Sequence, residues 1–560
     1  MGEEMPVAYV PGAPRLSRRA VLRLLGTGGG LTLLVACGPT PQAPQPTPAP
    51  AAKPTTPAAA ATTAPAPAAT APAPTAAAGQ PKSGGSLRVA MVDPTPLDGH
   101  VISPNIFDSV WMVYDTLTTY DEKLQPQPML AESWDVSDDF RRVKLNLRKG
   151  VQFHNGRELT SEDVLWNLQR VKDPKTGVAQ LANQSNWFST VEAPDKYTVV
   201  LTSDQPRLAV FDFFEYFNII GKDALDATDP TQRLVGTGPF ALTEYTQGDH
   251  LTFSKNKSYW QSGKPYLDAV RIQVIPDAQT ALVALEAGSI DLVGAPAPRD
   301  AVRLGQDTKF KVTRSQISGQ YHILVANCVL PPTDNKVVRQ ALNYAADRGR
   351  FVDNVLLKTT GEPRDLPWPP HAPAYEPEKN NRYAFDLDKA KSLLAEAGAS
   401  NIDIEFMYVS TDPIVAGFAQ IYQADLAKIG GKVTLRPVES PVWMDTVNNQ
   451  RYRGLTQSSS AYANIESSSL FTLSRHWNYS GANTTGFKSE RYTQLVTAAN
   501  VEPDAAKRRQ LYSQINDLLL DESFVMVLAP GAPSVATRAN VNGVRWSMHE
   551  SRVYADMWLA

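Results

Sequence analysis

Cysteine is almost absent from this sequence, which has two in 560 residues, Cys37 and Cys328. A small exported domain built on disulfides needs a larger framework of cysteines, so that class is excluded. Histidine is also scarce, and no two of the seven histidines have the His-x-x-x-His spacing of a metal site. We therefore expect no metal site and no other cofactor.

An excess of positive charge is missing too. Lys and Arg total 54 against 57 Asp and Glu, which gives a formal net charge of -3. A nucleic-acid-binding protein needs a basic surface to neutralise phosphates, so nucleic acid is not an expected partner. The sequence contains no Gly-x-Ser-x-Gly and no His-Glu-x-x-His motif. An extracytoplasmic enzyme, which would need an activated nucleophile or a metal, is therefore the weaker alternative.

The apolar stretch at residues 20–36 is preceded by three arginines. A positive flank before a short apolar segment is typical of an export signal. The stretch contains an arginine and three successive glycines, and it is shorter than the roughly 20 apolar residues of a membrane span. Residues 17–23 resemble the twin-arginine export signal, with Val21 where that signal usually has Phe. Twin-arginine export and general secretion therefore both remain open.

Cys37 follows Leu34, Val35 and Ala36, and this segment looks like a bacterial lipobox. In a lipobox the cysteine is acylated and becomes the mature N-terminus, and each buried methylene adds about 0.8 kcal/mol of membrane affinity. We expect residues 1–37 to be an export signal with a lipobox and Cys37 to be lipidated. The protein would then be anchored on the outer side of the cytoplasmic membrane. Cys328 is left without a partner, and we expect it to pack as a small apolar residue.

Residues 38–82 consist almost entirely of Pro, Ala, Thr, Gln and Gly. A segment of this composition cannot bury enough apolar surface to offset the entropy of ordering, so we expect a disordered linker. Pro-rich segments favour extended conformations of about 3.1 Å per residue, which allows a reach of roughly 100 Å. The linker would act as a stalk between the membrane and the folded body.

The composition becomes globular after the linker. Apolar residues alternate with polar ones at Val143, Leu145 and Leu147, as in a half-buried strand. Thr160 precedes an apolar-periodic segment and has Asp163 three residues later, which predicts a capped helix. Further patterns predict helices beginning near 277, 336, 386 and 505, and strands at 87–92, 269–275 and 432–436. The fold class is therefore α/β, without an internal repeat of solenoid length.

Several sequence blocks resemble the dipeptide- and oligopeptide-binding receptors of ABC importers, solute-binding family 5. The blocks occur in the order of that family and are residues 129–139, 147–156, 159–164, 236–240, 256–260, 287–292, 338–348 and 388–398. The resemblance implies a two-lobed periplasmic-binding-protein type II fold with an extra inserted subdomain. It places lobe I at 83–120, 233–310 and 525–560, the inserted subdomain at 121–232, and lobe II at 311–524.

The resemblance also implies a function without chemistry. A peptide or peptide-like solute would bind between the lobes and be delivered to an ABC permease and its ATPase subunits. The receptor would be a monomer that touches the membrane through its lipid anchor. A receptor of the same fold for an oligosaccharide, a metal chelate or an opine-like compound is the alternative. A sensory co-receptor is a further one, and neighbouring permease genes would discriminate between import and sensing.

Family position selects the candidate solute contacts. Residues 458–465 align with a segment that carries an Asp for the ligand α-ammonium in peptide binders, whereas residues 461–464 here are Ala, Tyr, Ala and Asn. A buried ammonium without a carboxylate partner is costly, so a peptide with a free amino terminus is disfavoured. The residues expected to contact the solute are Tyr321, Asn327, Trp443, Ser459, Tyr462 and Asn464.

Overall fold

The structure, a computed structural model, describes residues 80–560 apart from 102–105, 177–178, 226, 318, 462–464, 482 and 549–550. The predicted export signal, the lipidated Cys37 and the linker up to residue 79 lie outside the described residues. No helix in the described part of the chain combines the length and the apolar character needed to cross a bilayer.

The first and largest sheet is assembled from distant parts of the chain. The predicted strand at 87–92 is confirmed as β1, which pairs in parallel with β10 and β11, while the other pairs are antiparallel. The seven strands in spatial order are β12 (Phe310–Arg314), β18 (Ser534–Arg538), β11 (Leu292–Gly294), β1 (Ser86–Met91), β10 (Ala269–Val274), β9 (His250–Lys255) and β8 (Phe240–Thr246).

The second sheet has five strands and is covered by helices on both faces. The last four residues of its strand β13 (Gln320–Ala326) form a continuous apolar run, as expected of a strand buried on both faces. Leu324 and Ala326 enter one core cluster, while Ile323 and Val325 enter the opposite one. The five strands in spatial order are β15 (Lys432–Val438), β14 (Asp403–Val409), β16 (Gly454–Ala461), β13 (Gln320–Ala326) and β17 (Val525–Pro530).

A third sheet of four antiparallel strands lies within the segment predicted as an inserted subdomain. The alternating Val143, Leu145 and Leu147 point into its core with Val164 and Leu168 of the following helix. The strands in spatial order are β4 (Ala131–Val136), β5 (Arg142–Leu147), β7 (Thr198–Thr202) and β6 (Thr190–Asp195). Two small pairs are β2 (Thr118–Tyr120) with β3 (Pro126–Pro128), and β19 (Val541–Asn542) with β20 (Trp558–Leu559).

Several helices begin at a side chain that accepts a hydrogen bond from a free N–H group of the first turn. Thr160 and Asp163 form the predicted capping box, and Asp386 accepts a hydrogen bond from the backbone N–H of Lys389 at 2.8 Å. The helices are α1 (Phe107–Val113), α2 (Ser161–Lys172), α3 (Ala179–Ser185), α4 (Val210–Tyr216), α5 (Pro230–Arg233), α6 (Ala278–Ala287), α7 (Pro298–Gly305), α8 (Lys336–Tyr344), α9 (Arg348–Asn354), α10 (Leu387–Glu396), α11 (Pro413–Lys428), α12 (Ser440–Asn448), α13 (Ser468–Leu473), α14 (Glu490–Val501) and α15 (Ala505–Glu522).

The chain passes between the two larger sheets a few residues later than the predicted lobe boundaries. Residues 311–314, predicted in lobe II, lie in β12 and pair with β18 of the seven-stranded sheet. Residues 525–530, predicted in lobe I, form β17 and pair with β13 of the five-stranded sheet. Both strands are continuous with their sheets through backbone hydrogen bonds, which a boundary drawn from sequence blocks does not detect.

Breaking the buried ion pair beneath α9 should destabilise the protein strongly. Arg348 lies 3.2 Å from Asp365 with both side chains buried, and its guanidinium also donates to the carbonyl of Val527. Asp365→Asn should lower the free energy of unfolding in urea by about 3 kcal/mol, because it leaves a buried guanidinium unpaired. Asp403→Asn, which removes the exposed partner of Lys432, should cost less than about 0.5 kcal/mol. Similar losses in both variants would contradict this assignment.

Candidate functional site

Two short connections carry the chain between the seven-stranded and the five-stranded sheets. One runs from Arg314 to Gln320 and the other from Pro530 to Ser534. They lie side by side, because the N–H of Ser315 donates to the carbonyl of Pro533 at 2.9 Å. Paired short connections of this kind can absorb the backbone rotation of a hinge while the sheets remain rigid.

An apolar cluster lies where the parts of the molecule meet at these connections. Tyr120, Leu124 and Met548 are buried together, and Phe211, Ile317 and Ile465 pack against them. These side chains come from the first sheet's side, the inserted segment, a connection and the segment after β16. We call this set the cleft cluster. It marks the junction of the two halves.

Asp212 of α4 joins the inserted segment to the chain that follows β16. Its Oδ1 accepts hydrogen bonds from the hydroxyl of Tyr120 at 3.0 Å and from the N–H of Ile465 at 2.9 Å. Its Oδ2 accepts from the N–H of Glu466 at 3.0 Å. One buried carboxylate therefore accepts from both halves of the molecule. We call this arrangement the Asp212 bridge.

Burial gives the acids at the bridge unusual proton affinity. Burial raises the pKa of Asp212 to about 7 in spite of its three hydrogen-bond donors. Glu215, one turn later on α4, has its pKa raised to about 8 by burial, with a further contribution from the charge of Asp212. Burial also raises the pKa of Glu466, which pairs with Arg508 at 3.4 Å. The junction therefore concentrates acids that burial tends to keep protonated.

Two of the family-like blocks converge beside the bridge on Asp115. Thr237 of the 236–240 block donates to its carboxylate at 2.9 Å, while Tyr259 and Trp260 of the 256–260 block donate at 3.1 and 2.8 Å. Gly236 lies so close to the backbone at the end of α1 that an added Cβ would be 2.1 Å from the carbonyl oxygen of Val113. Packing and hydrogen bonding therefore hold these two blocks together around Asp115 in the first half of the molecule.

A cavity of about 130 Å³ lies next to Asp115 and Tyr259. It is lined in part by Asp115, Glu215, Arg545 and Tyr554. The charge of Arg545 is already matched, because its Nε donates to Asp556 at 2.8 Å. Within the described residues, no group of three or more His, Cys, Asp and Glu side chains is arranged to hold a metal ion.

The structure brings Tyr321 and Ser459 to the same end of two inner strands of the five-stranded sheet, the start of β13 and the end of β16. Tyr321 opens β13 beside the connection from the first sheet and pairs with Ser460 of β16, next to Ser459. The side chain of Ser459 is exposed, whereas the ring of Tyr321 is buried edge-on against Trp477. Tyr462 and Asn464, which follow β16, lie outside the described residues.

Asn327 and Trp443 lie farther from that end of the strands. Asn327 directly follows β13, about 20 Å from Tyr321 by the rise of the strand. Its amide nitrogen donates to the carbonyls of Gln450 and Tyr452, and its oxygen accepts from the N–H groups of Val329 and Leu330. Trp443 is on α12, where it is buried and its Nε1 donates to Thr456 at 2.8 Å. Both side chains are bonded within the second half.

The sequence did not reveal the residues of the bridge and of the cleft cluster. Asp212 is a single acid in the segment Phe-Asp-Phe-Phe-Glu, which reads as an amphipathic helix with a polar face. Ile317 and Met548 are isolated apolar residues in connecting segments. Their common location depends on contacts more than 200 residues apart in the chain, such as Asp212 with Ile465 and Glu466. No local pattern carries that information.

Comparison with known proteins gives consistent relatives. The family model of bacterial extracellular solute-binding proteins, family 5 Middle, matches residues 125–481. Heme-binding protein A of Haemophilus influenzae is 29% identical over 436 residues, which cover 72% of this chain and 78% of that protein. The dipeptide-binding protein of Escherichia coli is 26% identical over 451 residues, covering 74% and 83%. The structure of AgaA from A. tumefaciens R10 in complex with agropinic acid gives a TM-score of 0.73 at 26% identity, covering 85% and 99%.

These results define the class of protein first. The fold is the α/β, two-lobed type II periplasmic-binding-protein fold with its inserted subdomain, as the sequence predicted. The chain belongs to family 5 of the bacterial extracellular solute-binding proteins. Members of this family are extracytoplasmic, bind small solutes for ABC importers and have no enzymatic activity of their own, and their solutes differ from one relative to another.

The buried acids of the Asp212 bridge should make the protein more stable at low pH. The pKa of Asp212 is about 7 in the folded protein against 3.8 for an ordinary Asp, so the folded state binds more protons between these values. Its contribution to stability is present below pH 3.8 and is lost as pH rises through 7. Glu215, raised from 4.5 to about 8, acts in the same direction.

Urea unfolding should therefore show a lower free energy of unfolding at pH 8 than at pH 5. Asp212→Asn, which does not ionise, should reduce this difference by at least about 1 kcal/mol. Asp138→Asn changes an exposed acid and should leave the difference as in the wild type. If Asp212→Asn retains the whole pH dependence, the bridge does not hold the proton.

Proposed function

We propose that this protein is the lipid-anchored receptor of an ABC importer and captures a peptide or peptide-like solute between two lobes. The seven-stranded sheet forms the core of lobe I, residues 121–232 form its inserted subdomain, and the five-stranded sheet forms the core of lobe II. The Asp212 bridge supports this proposal most directly, because it is a polar contact across the junction beside the paired connections. The monomeric receptor would deliver its solute to the permease and its ATPase subunits.

The proposed solute site is the end of the inner strands β16 and β13 that lies toward the cleft cluster. Ser459 is exposed there on β16, and the chain continues through Tyr462 and Asn464 to Ile465 at the bridge. A solute held at this end of the strands would be covered when the lobes close. Closure would exclude water and so strengthen the polar contacts to the solute. Asn327 and Trp443 contribute as supports of the sheet, since their polar atoms are bonded within lobe II.

The absence of an Asp at residues 461–464 narrows the proposed solute. A free α-ammonium would be buried there without a carboxylate from this segment, which is costly. The solute is therefore peptide-like without requiring a free amino terminus. The relatives named for dipeptide, heme and agropinic acid support a family scaffold that accepts different solutes. A non-peptide solute is the second candidate, and the missing Asp is the observation that favours it.

Blocking the end of β16 at Ser459 should abolish solute binding without unfolding the protein. Free and N-acetylated tripeptides are the probes, and the acetylated forms should bind at least as tightly as the free ones. At a hundredfold excess over Kd, a bound peptide should raise the free energy of unfolding by about 2.7 kcal/mol. Ser459→Trp places a large ring at an exposed site, so it should remove this stabilisation and leave the Tm of the free protein unchanged.

Thr434→Trp on β15, another exposed position of the same sheet, is the matched control and should bind as the wild type does. Unchanged peptide binding in Ser459→Trp would rule out this end of β16 as the solute site. If no free or acetylated peptide shifts the melting curve but a chelate or an oligosaccharide does, the peptide-like assignment is wrong and the receptor function stands.

Acylation of Cys37 can be tested separately from solute binding. In a bacterial host fed radioactive palmitate, the wild-type chain should be labelled and should partition into the detergent phase of Triton X-114. Cys37→Ser should lose the label and move to the aqueous phase, because the acyl chains provide the membrane affinity. Cys328→Ser is the control and should keep the label, since burial raises the pKa of the Cys328 thiol to about 11. A labelled Cys37→Ser variant would overturn the lipobox assignment.

A further inference from the structure

A second cavity adjoins the Asp212 bridge at Glu466. Its volume is about 260 Å³, which is larger than the 150 Å³ or so that accommodates a benzene molecule. One wall is formed by α3 and the segment before α4, and the opposite wall by α13 and the residues that follow it. It shares Glu466 with the bridge and none of its lining residues with the cleft cluster.

Gln184 provides the first indication that this cavity is a site. Its side chain is 1% exposed, and within the described residues neither its amide nitrogen nor its amide oxygen has a hydrogen-bond partner. A buried amide without a partner costs about 1–3 kcal/mol. Gln184 lines the cavity together with Ser468, Ser469 and Thr472 of α13. The walls therefore present both donors and acceptors to a molecule in this space.

Arg207 provides the second indication. Its guanidinium lines the same cavity and lies over the ring of Trp187 at 5.5 Å. In the described part of the chain Arg207 has no ion pair, and its Nε is buried without a partner. Burial lowers the pKa of this guanidinium from its usual value, and the negative charge of nearby Asp204 opposes this shift only in part. A carboxylate would match its charge and its planar donors in two parallel hydrogen bonds.

Glu466 is the one acid on the walls, and its charge is offset. Its carboxylate accepts from the hydroxyl of Tyr512 and pairs with Arg508 at 3.4 Å. An anion in the cavity is therefore repelled less than an unpaired Glu466 would repel it.

We propose that this cavity is a second ligand site, which binds a small hydroxylated carboxylate between the inserted subdomain and lobe II. The carboxylate pairs with Arg207, and the hydroxyl groups exchange hydrogen bonds with Gln184 and the hydroxyls of α13. Because its two walls belong to the two halves joined by the Asp212 bridge, the occupied site holds those halves together. The site is distinct from the proposed solute site, because Ser459 is not among its lining residues.

Isothermal titration of the purified full-length protein tests this proposal with D-gluconate as the probe and D-sorbitol as its neutral counterpart. Gluconate should give saturable heat and sorbitol should not. Arg207→Gln should weaken gluconate binding at least tenfold, because it removes the charge that pairs with the carboxylate. Gln184→Leu should weaken it at least tenfold as well. Arg142→Gln changes an exposed arginine of the same subdomain and should bind gluconate as the wild type does.

Ser459→Trp assigns the heat to one of the two sites. This variant should bind gluconate normally, since Ser459 does not line the second cavity. Loss of gluconate binding in Ser459→Trp would place the ligand in the cleft and overturn the proposal. An absence of saturable heat in the wild type, equal heats for gluconate and sorbitol, or unchanged affinity in Arg207→Gln would overturn it too. Arg207 is only partly buried, so we expect its replacement to leave a folded protein, and an unchanged Tm is the control for this comparison.

Discussion

The contact between a buried carboxylate and two main-chain N–H groups is the constraint on which the junction of this protein depends. Asp212 accepts from the backbone of Ile465 and Glu466, and its position follows from packing of α4 in the core of the four-stranded sheet. A buried acid is costly unless its oxygens are satisfied or it is protonated. The contact is therefore available only when the two halves are together. Away from Ile465 and Glu466 the carboxylate must find water or a proton.

This constraint connects the rest of the structure. Each large sheet carries its own core and its own helices, and the paired connections beside Ser315 and Gly531 join them. The proposed closure of the lobes would therefore move the sheets as rigid units. Asp115 performs the corresponding role within the first half, where three donors from distant blocks converge on one carboxylate. Rigid halves with a polar contact at their junction have two well-defined arrangements, which is what a receptor needs to signal occupancy.

Local features of this fold were readable from the sequence, and the junction was not. The capping box of Thr160 and Asp163, the alternation at Val143–Leu147 and the buried run of β1 are set by neighbours within a few residues, so pattern predicts them. The lobe boundaries were a few residues early because β12 and β17 end where their pairing ends, not where the sequence blocks end. Asn327 was expected to contact solute because of its family position, but its amide is bonded to backbone on all sides. Tyr321 and Ser459 lie on neighbouring strands, and their contact with the solute stays a prediction.

The chemistry of the Asp212 bridge also separates closure from the choice of solute. The donors at residues 465 and 466 are main-chain N–H groups, which any residue except proline supplies. Changes in the side chains there leave this contact in place, so the residues that we propose contact the solute, Ser459, Tyr462 and Asn464, can differ without disturbing it. A scaffold of this kind keeps one closing contact while its recognition segment changes. The same reasoning explains why the fold was easier to assign than the solute: the closing contact is built from backbone and packing, and the solute is chosen by a few side chains that carry no pattern of their own.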